Sequence, residues 1–198
     1  MEVVLVTYTP NSEELCAKAM RSCRTTEALH KLKLDKPAEY YIALAKQTGH
    51  LSILEHASFT FSVKGISRAC SHQLVRHRIA SYSQQSQRTV DPTKEEWYVT
   101  PESIAKKDLF SYQFAMSKIK EYYSKLQSLG VPNEDARYLL PNATKTNIVI
   151  TMNARELLHF FELRLEKSAQ WEIRRLAELM LQEVQKVASN IFREVETK

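Results

Sequence analysis

The sequence predicts an α+β fold: a small, mostly antiparallel or mixed sheet flanked by segregated helices, some of them long. Short β-branched or alternating apolar runs at 3–8, 57–63 and 146–151 predict strands. Longer segments with apolar residues at helical spacing separate these runs unevenly, without the regular strand–helix alternation of a parallel sheet. No internal repeat and no glycine-rich phosphate loop is present.

The first strand and the first helix are predicted by local signals. The run VVLVTY at 3–8 is β-branched and apolar, as in a buried strand. Asp35 is placed to cap a helix that continues to about Gln47, and Gly49 follows its end.

The next two elements lead into a basic segment. Alternating apolar residues at 57–63 predict a second strand, which Gly65 is expected to end. A helix is predicted over 67–77, with Ser67 as its cap, and the segment 80–90 is expected to be extended or irregular.

Helices dominate the second half. A long amphipathic helix is predicted from Pro101 to Leu129, ended by Gly130. Its apolar stripe consists of Ile104, Leu109, Phe110, Phe114, Ile119, Tyr122 and Leu126. A short helix follows over 133–140. After the strand at 146–151, helix is predicted from 155 to about 193, with a break near 167–168.

Composition fits one domain spanning residues 1–198. The chain has 28 Lys+Arg and 23 Asp+Glu, a net charge of +5, which permits an anionic ligand but lacks the charge runs of a dedicated nucleic-acid binder. The start, MEVVLVTYTP, lacks the basic flank of a signal peptide, and no apolar run is long enough to cross a bilayer. We therefore expect a cytoplasmic protein with neither a membrane nor a nucleic-acid partner.

The segment RHRIASYSQQSQR at 76–88 concentrates hydrogen-bond donors and has no acidic residue. Arginine suits phosphate because its planar fork makes two charge-assisted hydrogen bonds at once. Three interpretations stay open on composition alone: a solvated helix end with a polar loop, an anion site, or a nucleic-acid patch. The last of these needs more aromatic residues than Tyr82.

Three further groups are candidates, each with an ordinary alternative. Arg155 and His159 share a face of a mostly apolar helix, where nearby glutamates can neutralise an arginine. Arg137 also has acidic neighbours in sequence. His50 follows a helix end, where the helix dipole favours a histidine.

Metal and nucleophilic chemistry are disfavoured. The histidines lack the spacing of a helical metal pair, and no serine lies in a G-x-S-x-G turn. Cys16, Cys23 and Cys70 form no CxxC pattern, so three reduced structural thiols are expected.

Five ordered motifs resemble those of the flavin-dependent thymidylate synthases. The central one is Arg76-His77-Arg78, seven further residues, and Ser86-Gln87-Arg88. The others are GHLSILEH at 49–56 with FTF following, DARYLLP at 135–141, NARELLHFFELR at 153–164, and AQWEIR at 169–174. The resemblance covers about residues 1–195.

The resemblance implies a homotetramer with active sites between subunits. It implies bound FAD and methylation of dUMP to dTMP, with methylenetetrahydrofolate as carbon donor and NADPH as the usual source of electrons. It also implies that no enzyme cysteine attacks the pyrimidine.

The resemblance also assigns residues to the two ligands. Around dUMP it places Gln73, Arg76, Gln84, Gln85, Ser86, Gln87, Arg88, Arg137 and Arg164. Around FAD it places His50, Ser52, Arg76, His77, Arg78, Gln84, Asn153, Arg155 and His159. Arg164 is the catalytic candidate, because a guanidinium beside uracil N3 stabilises the ionised, activated base.

Two positions depart from the common family pattern. Many members carry Asn-Glu where this chain has Ser83-Gln84, which removes a charge near the nucleotide. Some members carry Asn where this chain has His159; both side chains can donate a hydrogen bond to a ligand.

Overall fold

The protein is described by a computed structural model over residues 1–94 and 96–196. Four strands form one antiparallel sheet in the order β1-β2-β4-β3. The strands are β1 (Glu2–Tyr8), β2 (Ser58–Ser67), β3 (Ala80–Gln84) and β4 (Lys145–Asn153). The predicted α+β class and the three predicted strands are confirmed. The fourth strand, β3, lies inside the segment that was predicted to be extended or irregular.

Eight α-helices surround this sheet in the described part of the chain. They are α1 (Ser12–Ser22), α2 (Ala38–Thr48), α3 (Arg68–Leu74), α4 (Glu102–Ser128), α5 (Asn133–Ala136), α6 (Ala154–Arg164), α7 (Trp171–Val187) and α8 (Ser189–Phe192). Short 3₁₀ turns lie at Leu51–His56, Pro92–Lys94 and Arg137–Leu139. None of the helices among residues 1–94 and 96–196 combines the length and apolar character that a membrane span requires.

Two sequence-based predictions about helix and strand ends are wrong. Asp35 does not cap α2, which begins at Ala38; its carboxylate instead accepts a hydrogen bond from the Tyr41 hydroxyl. Gly65 does not end β2, because the register shifts between Lys64 and Ile66 and the strand continues to Ser67. The positive φ of Gly65, 77°, suits the bulge that absorbs the extra residue.

The core lies between one face of the sheet and α7. Alternating residues of β2 and β4 point to this face, as the pleat of a strand requires. The fully buried sheet residues are Phe59, Phe61, Val63, Ile148, Ile150 and Met152. On α7, apolar residues repeat every three or four positions and cover them: Ile173, Leu176, Ala177, Met180 and Val184.

A buried carboxylate fixes α3 to this core. Glu172, at the start of α7, is 2% exposed, and its two oxygens accept hydrogen bonds from the backbone N–H and the hydroxyl of Ser67. The Ser67 hydroxyl in turn accepts from the N–H of Cys70, so Ser67 is the cap of α3 as predicted. The carboxylate therefore sets where α3, and the basic segment after it, enters the fold.

Helix α4 has the predicted bounds, but only part of its apolar surface is buried. Only Met116 and Tyr123 are buried on it, whereas Phe110 and Phe114 are 79% and 56% exposed. At Asp108 the backbone leaves helical geometry, and its carboxylate accepts from the Ser111 N–H to cap the second segment. The predicted apolar stripe is therefore only partly covered by this chain.

Candidate active site

The basic segment 76–88 is an ordered part of the sheet. Helix α3 ends at Leu74, and β3 begins at Ala80 and pairs with β4. The Tyr82 hydroxyl lies 2.9 Å from the carbonyl oxygen of Leu74 and 2.8 Å from that of His77, which ties the helix end to the strand. Arg76 and Arg78 remain exposed on either side of this connection.

His77 is the buried member of the RHR triplet. It is 4% exposed, and its ring lies edge-on to Phe160. Its Nδ1 lies 3.2 Å from Oε1 of Glu156, and its Nε2 accepts a hydrogen bond from Nε of Arg164 at 3.1 Å. Burial and the positive charge of Arg164 lower the pKa of His77 to about 4, so the ring is neutral near pH 7.

Arg164 is half-buried at the end of α6, beside the RHR triplet. One Nη lies 3.5 Å from the carbonyl oxygen of Gln73. Among residues 1–94 and 96–196, no carboxylate lies within 4.0 Å of its guanidinium. The predicted catalytic arginine thus keeps its positive charge available to a ligand.

Gln84 ends β3 with its amide directed at two hydroxyl groups. Its Nε2 donates to Oγ of Ser71 at 2.9 Å and to Oγ1 of Thr146 at 3.3 Å. A carboxylate at this position would need both hydroxyls as donors, and the hydrogen of Ser71 is already donated to the carbonyl oxygen of Arg68 at 3.0 Å. The amide of Gln84 therefore suits these two hydroxyls without changing the bond between Ser71 and Arg68.

Two predicted nucleotide residues, Arg88 and Arg137, contact Glu134. Arg88 donates from Nε to its carboxylate at 2.9 Å, and Nε of Arg137 donates to its backbone carbonyl at 3.0 Å. The hydroxyl of Ser86 accepts from the N–H of Arg88, which shapes the turn after β3. Helix α5 thus brings Arg137 to the basic segment, about 50 residues away in sequence.

Arg68 is a basic residue near this cluster that sequence reasoning missed. Burial, together with the charge of Arg137, lowers the pKa of Arg68 below its ordinary value. Two neighbouring guanidinium groups repel each other unless an anion lies between them. The sequence offers no signal for this arrangement, because Arg68 precedes the motif by a whole helix.

A cavity of about 620 Å³ along α6 is lined by three of the nine predicted flavin residues. Asn153, Arg155 and His159 line it, together with Glu55 from the 3₁₀ turn and Ile79. Arg155 forms an ion pair with Glu55, and the Asn153 side chain caps α6. His50 and Ser52 are exposed and do not line the cavity. Leu51, which lies between them in the sequence, does line it.

The predicted residues therefore form two clusters joined by the RHR triplet. One cluster holds Arg88 and Arg137, and the other lines the cavity along α6. Gln73, Gln85 and Gln87 are half-buried along the connecting segment. The arginines converge without a glycine-rich loop, so side chains supply the anion-binding donors.

The antiparallel sheet and the arginines on and beside the RHR triplet are those expected of an α+β enzyme that binds an anionic nucleotide. The family model described as "Thymidylate synthase complementing protein" matches residues 4–189. The chain belongs to this family.

Two relatives that are similar to this protein over nearly its whole length have the same name. A flavin-dependent thymidylate synthase of Sulfurisphaera tokodaii is 48% identical, with 98% of this chain and 77% of the relative covered. The enzyme of the same name from Geobacter sulfurreducens is also 48% identical, covering 98% and 86%.

Two solved structures share the fold. Thymidylate synthase X of Helicobacter pylori, crystallised with FAD and dUMP, superposes with a TM-score of 0.79 at 26% identity, covering 98% and 99% of the two chains. The UMP/dUMP methylase PolB of Streptomyces cacaoi, bound with 5-Br dUMP, gives a TM-score of 0.84 at 25% identity, covering 97% and 93%.

Proposed function

We propose that this protein is a flavin-dependent thymidylate synthase that methylates dUMP to dTMP. Methylenetetrahydrofolate is the carbon donor, and NADPH is the source of electrons. The observation that carries the proposal is Arg164, a half-buried arginine that keeps its charge and lies beside the RHR triplet at the junction of the two clusters. Family membership and the relatives named above support the same activity.

The cavity along α6 fits a flavin nucleotide. Its volume of about 620 Å³ lies in the range of ligand pockets, and Asn153, Arg155 and His159 offer polar atoms at its wall. In this assignment these residues hold FAD, which in its reduced form supplies the hydride.

Three carboxylates also line the cavity, those of Glu55, Glu156 and Glu162, so the FAD phosphates must lie on the side of Arg155 away from them. Arg78, His50 and Ser52 do not line the cavity and are exposed on other segments, so their contacts with FAD stay predictions.

The pyrimidine is activated by charge rather than by covalent attack. A guanidinium beside uracil N3 lowers the pKa of that nitrogen, because it stabilises the anion. Arg164 is suited to this because no carboxylate in the described part of the chain competes for it. Gln73 is half-buried and its backbone carbonyl contacts Arg164, so its side-chain amide is placed to help orient the ring.

The cysteines are poorly suited to nucleophilic attack. Burial raises the pKa of Cys16 to about 12, and burial also raises the pKa of Cys70 well above its ordinary value. A thiol that stays protonated at neutral pH is a weak nucleophile. Cys23 is exposed but lies at the end of α1, away from both clusters in sequence.

The phosphate of dUMP is assigned to Arg88 and Arg137, with Ser86 at the turn. Glu134 occupies the fork of Arg88 in this structure and therefore competes with an incoming phosphate. We expect Glu134→Gln to tighten dUMP binding by up to about fivefold, because exposed ion pairs contribute little. Fluorescence or calorimetric titration with dUMP measures the change.

The matched control for Glu134→Gln is Glu39→Gln, which removes a comparable exposed pair with Arg193. The control should leave the dUMP affinity unchanged. Weaker dUMP binding in Glu134→Gln would place Glu134 in the site as a partner rather than as a competitor.

The exposed face of α4 supports a homotetramer with active sites between subunits. Phe110 and Phe114 lie one turn apart, on the side of α4 opposite the buried Met116. Leu129, at the C-terminal end of α4, and Tyr138, in the 3₁₀ turn Arg137–Leu139, are also largely exposed, at 71% and 86%. Exposed apolar patches of this kind commonly mark protein interfaces.

We expect Phe110→Glu to dissociate the tetramer into smaller species, since it places a charge in an apolar interface. Light scattering coupled to size-exclusion chromatography measures the mass. Gln47→Glu adds the same charge at an exposed position of α2 and should preserve the assembly. An unchanged mass for Phe110→Glu would mean that this face is not the interface.

Product analysis tests the function directly. The purified protein should be yellow with bound FAD, and should convert dUMP to dTMP only when methylenetetrahydrofolate and a reductant are present. A colourless protein that cannot be reconstituted with FAD would argue for a nucleic-acid-binding module instead. That alternative predicts steeply salt-dependent binding to oligonucleotides.

A second pyrimidine substrate is favoured by the neutral side chain of Gln84 and by the likeness to a UMP/dUMP methylase. The same assay with UMP in place of dUMP separates the two candidates. Methylation of dUMP alone supports the thymidylate synthase. Comparable methylation of UMP identifies a broader pyrimidine nucleotide methylase.

A further inference from the structure

Glu156, His77 and Arg164 form a continuous hydrogen-bonded line through the interior. Glu156 and His77 are 6% and 4% exposed, and Arg164 lies at the edge of the site. The distances along the line are 3.2 Å from Glu156 Oε1 to His77 Nδ1, and 3.1 Å from His77 Nε2 to Arg164 Nε.

The arginine determines which ring nitrogen carries the proton. A guanidinium only donates hydrogen bonds, so Nε2 of His77 must be the acceptor and Nδ1 must hold the hydrogen. Nδ1 then donates to the carboxylate of Glu156, which favours the same tautomer. Both ends of the line thus require one neutral form of the imidazole.

A neutral histidine orients the arginine without cancelling its charge. If Glu156 contacted Arg164 directly, an ion pair would form and weaken the attraction for an anionic ligand. With the imidazole between them, Nε is held in place while the guanidinium stays positive. Its second contact, to the carbonyl of Gln73, is also neutral.

We infer that Glu156 and His77 are positioning residues, which hold the Arg164 guanidinium in one orientation and leave its charge for the pyrimidine. The inference rests on the proposed function in that the ligand of Arg164 is the uracil ring. Neither Glu156 nor His77 needs to touch the substrate. Glu156 is one of the residues that line the flavin cavity, but it is only 6% exposed, and its backbone N–H donates to the side chain of Asn153.

The first test examines His77 in the free protein. Nitrogen-15 spectra of the imidazoles, with the His77 signal assigned from its loss in His77→Asn, should show a neutral Nδ1–H tautomer at pH 7. Glu156, His159 and Arg164 are the titratable or charged groups facing this ring. An Nε2–H tautomer or a cationic ring would overturn the inference, whatever the enzyme's substrate.

The second test uses Glu156→Gln, which keeps the shape but allows the amide to donate to Nδ1 and favour the other tautomer. We expect kcat to fall about 10- to 100-fold, the size typical of lost supporting contacts. The melting temperature should stay near that of the parent protein, and kcat is expressed per bound FAD because Glu156 also lines the flavin cavity. Glu183→Gln, which removes a surface pair with Lys186, should leave kcat unchanged.

A carbon-13 label at C2 of bound dUMP reports the step affected. In Glu156→Gln the midpoint for ionisation of uracil N3 should rise by about one pH unit for a tenfold loss. If Glu156 had a purely structural role, the substitution would lower the amount of folded enzyme without moving this midpoint. That result would contradict the inference. Unchanged kcat and an unchanged imidazole tautomer would contradict it as well.

Two further outcomes are informative. If Glu156→Gln fails to fold, Glu156→Asp keeps the charge, and a smaller shift of the N3 midpoint in the same direction is expected. If the parent protein does not methylate dUMP, the proposed function fails, while the imidazole spectrum still decides whether His77 holds Arg164.

Discussion

Arg164→Ala is expected to lower kcat about 10²–10³-fold while FAD stays bound. Preorganised groups that stabilise developing charge commonly contribute this much to catalysis. Arg164 is the group best placed to stabilise the uracil anion, since it is half-buried and no carboxylate of residues 1–94 and 96–196 pairs with it. It does not line the cavity assigned to the flavin, so FAD content should be retained.

Steady-state turnover and the flavin absorbance of the purified variant measure this result. Arg175→Ala is the matched control, because it removes an arginine from a surface pair with Glu178. The control should keep full activity. Retained turnover in Arg164→Ala would show that another group activates the base, and loss of FAD together with turnover would move Arg164 into the flavin site.

Arg88→Ala is expected to weaken dUMP binding about 10- to 100-fold and FAD binding much less. Hydrogen bonds to charged groups contribute about 1.5–3 kcal/mol, and each 1.4 kcal/mol is a factor of ten in Kd. Arg88 lies on the turn after β3 beside Glu134 and Arg137, apart from the cavity along α6. The two ligands are therefore expected to respond separately.

Titration with dUMP and with FAD measures both affinities on the same variant. Arg193→Ala is a suitable control, since Arg193 forms an exposed ion pair with Glu39 at the far end of the chain. It should change neither affinity. Equal losses for dUMP and FAD in Arg88→Ala would contradict separate subsites for the two ligands.

Local patterns in the sequence were sufficient for most of the fold. Strands β1, β2 and β4 follow from β-branched and alternating runs, whereas the edge strand β3 was predicted only as extended or irregular. The break between α6 and α7 was predicted near its observed place. Helix α1 was missed, although Cys16 and Met20 on it are buried four residues apart. Gly65 misled because a glycine inside a strand can form a bulge instead of ending the strand.

The sequence predicted which residues belong to the site, but not the hydrogen bonds between them. The motif assigned His77 to the flavin side, and nothing local indicates that both of its ring nitrogens are used inside the protein. Its partners lie 79 and 87 residues further along the chain, so only the folded arrangement brings them together. The direct flavin contact of His77 stays a prediction, and its hydrogen bonds assign it a role through Arg164.

The exposed apolar residues of α4 show a different limit of sequence patterns. Periodicity indicates that a helix has an apolar face, but it does not say whether the same chain or another copy covers it. Phe110 and Phe114 were predicted as part of one stripe, and the structure leaves them facing outward. Phe110→Glu tests whether another copy of the chain covers them.

The most direct test of the central claim is release of tritium from dUMP labelled at C5. Methylation at C5 must remove this hydrogen, so its release reports bond formation at the reacting carbon. We expect release that requires both methylenetetrahydrofolate and reduced flavin, persists when Cys16, Cys23 and Cys70 are each replaced by serine in folded variants, and is lost in Arg164→Ala. No release from the FAD-loaded protein with all substrates present, or release that depends on one cysteine, would contradict the account.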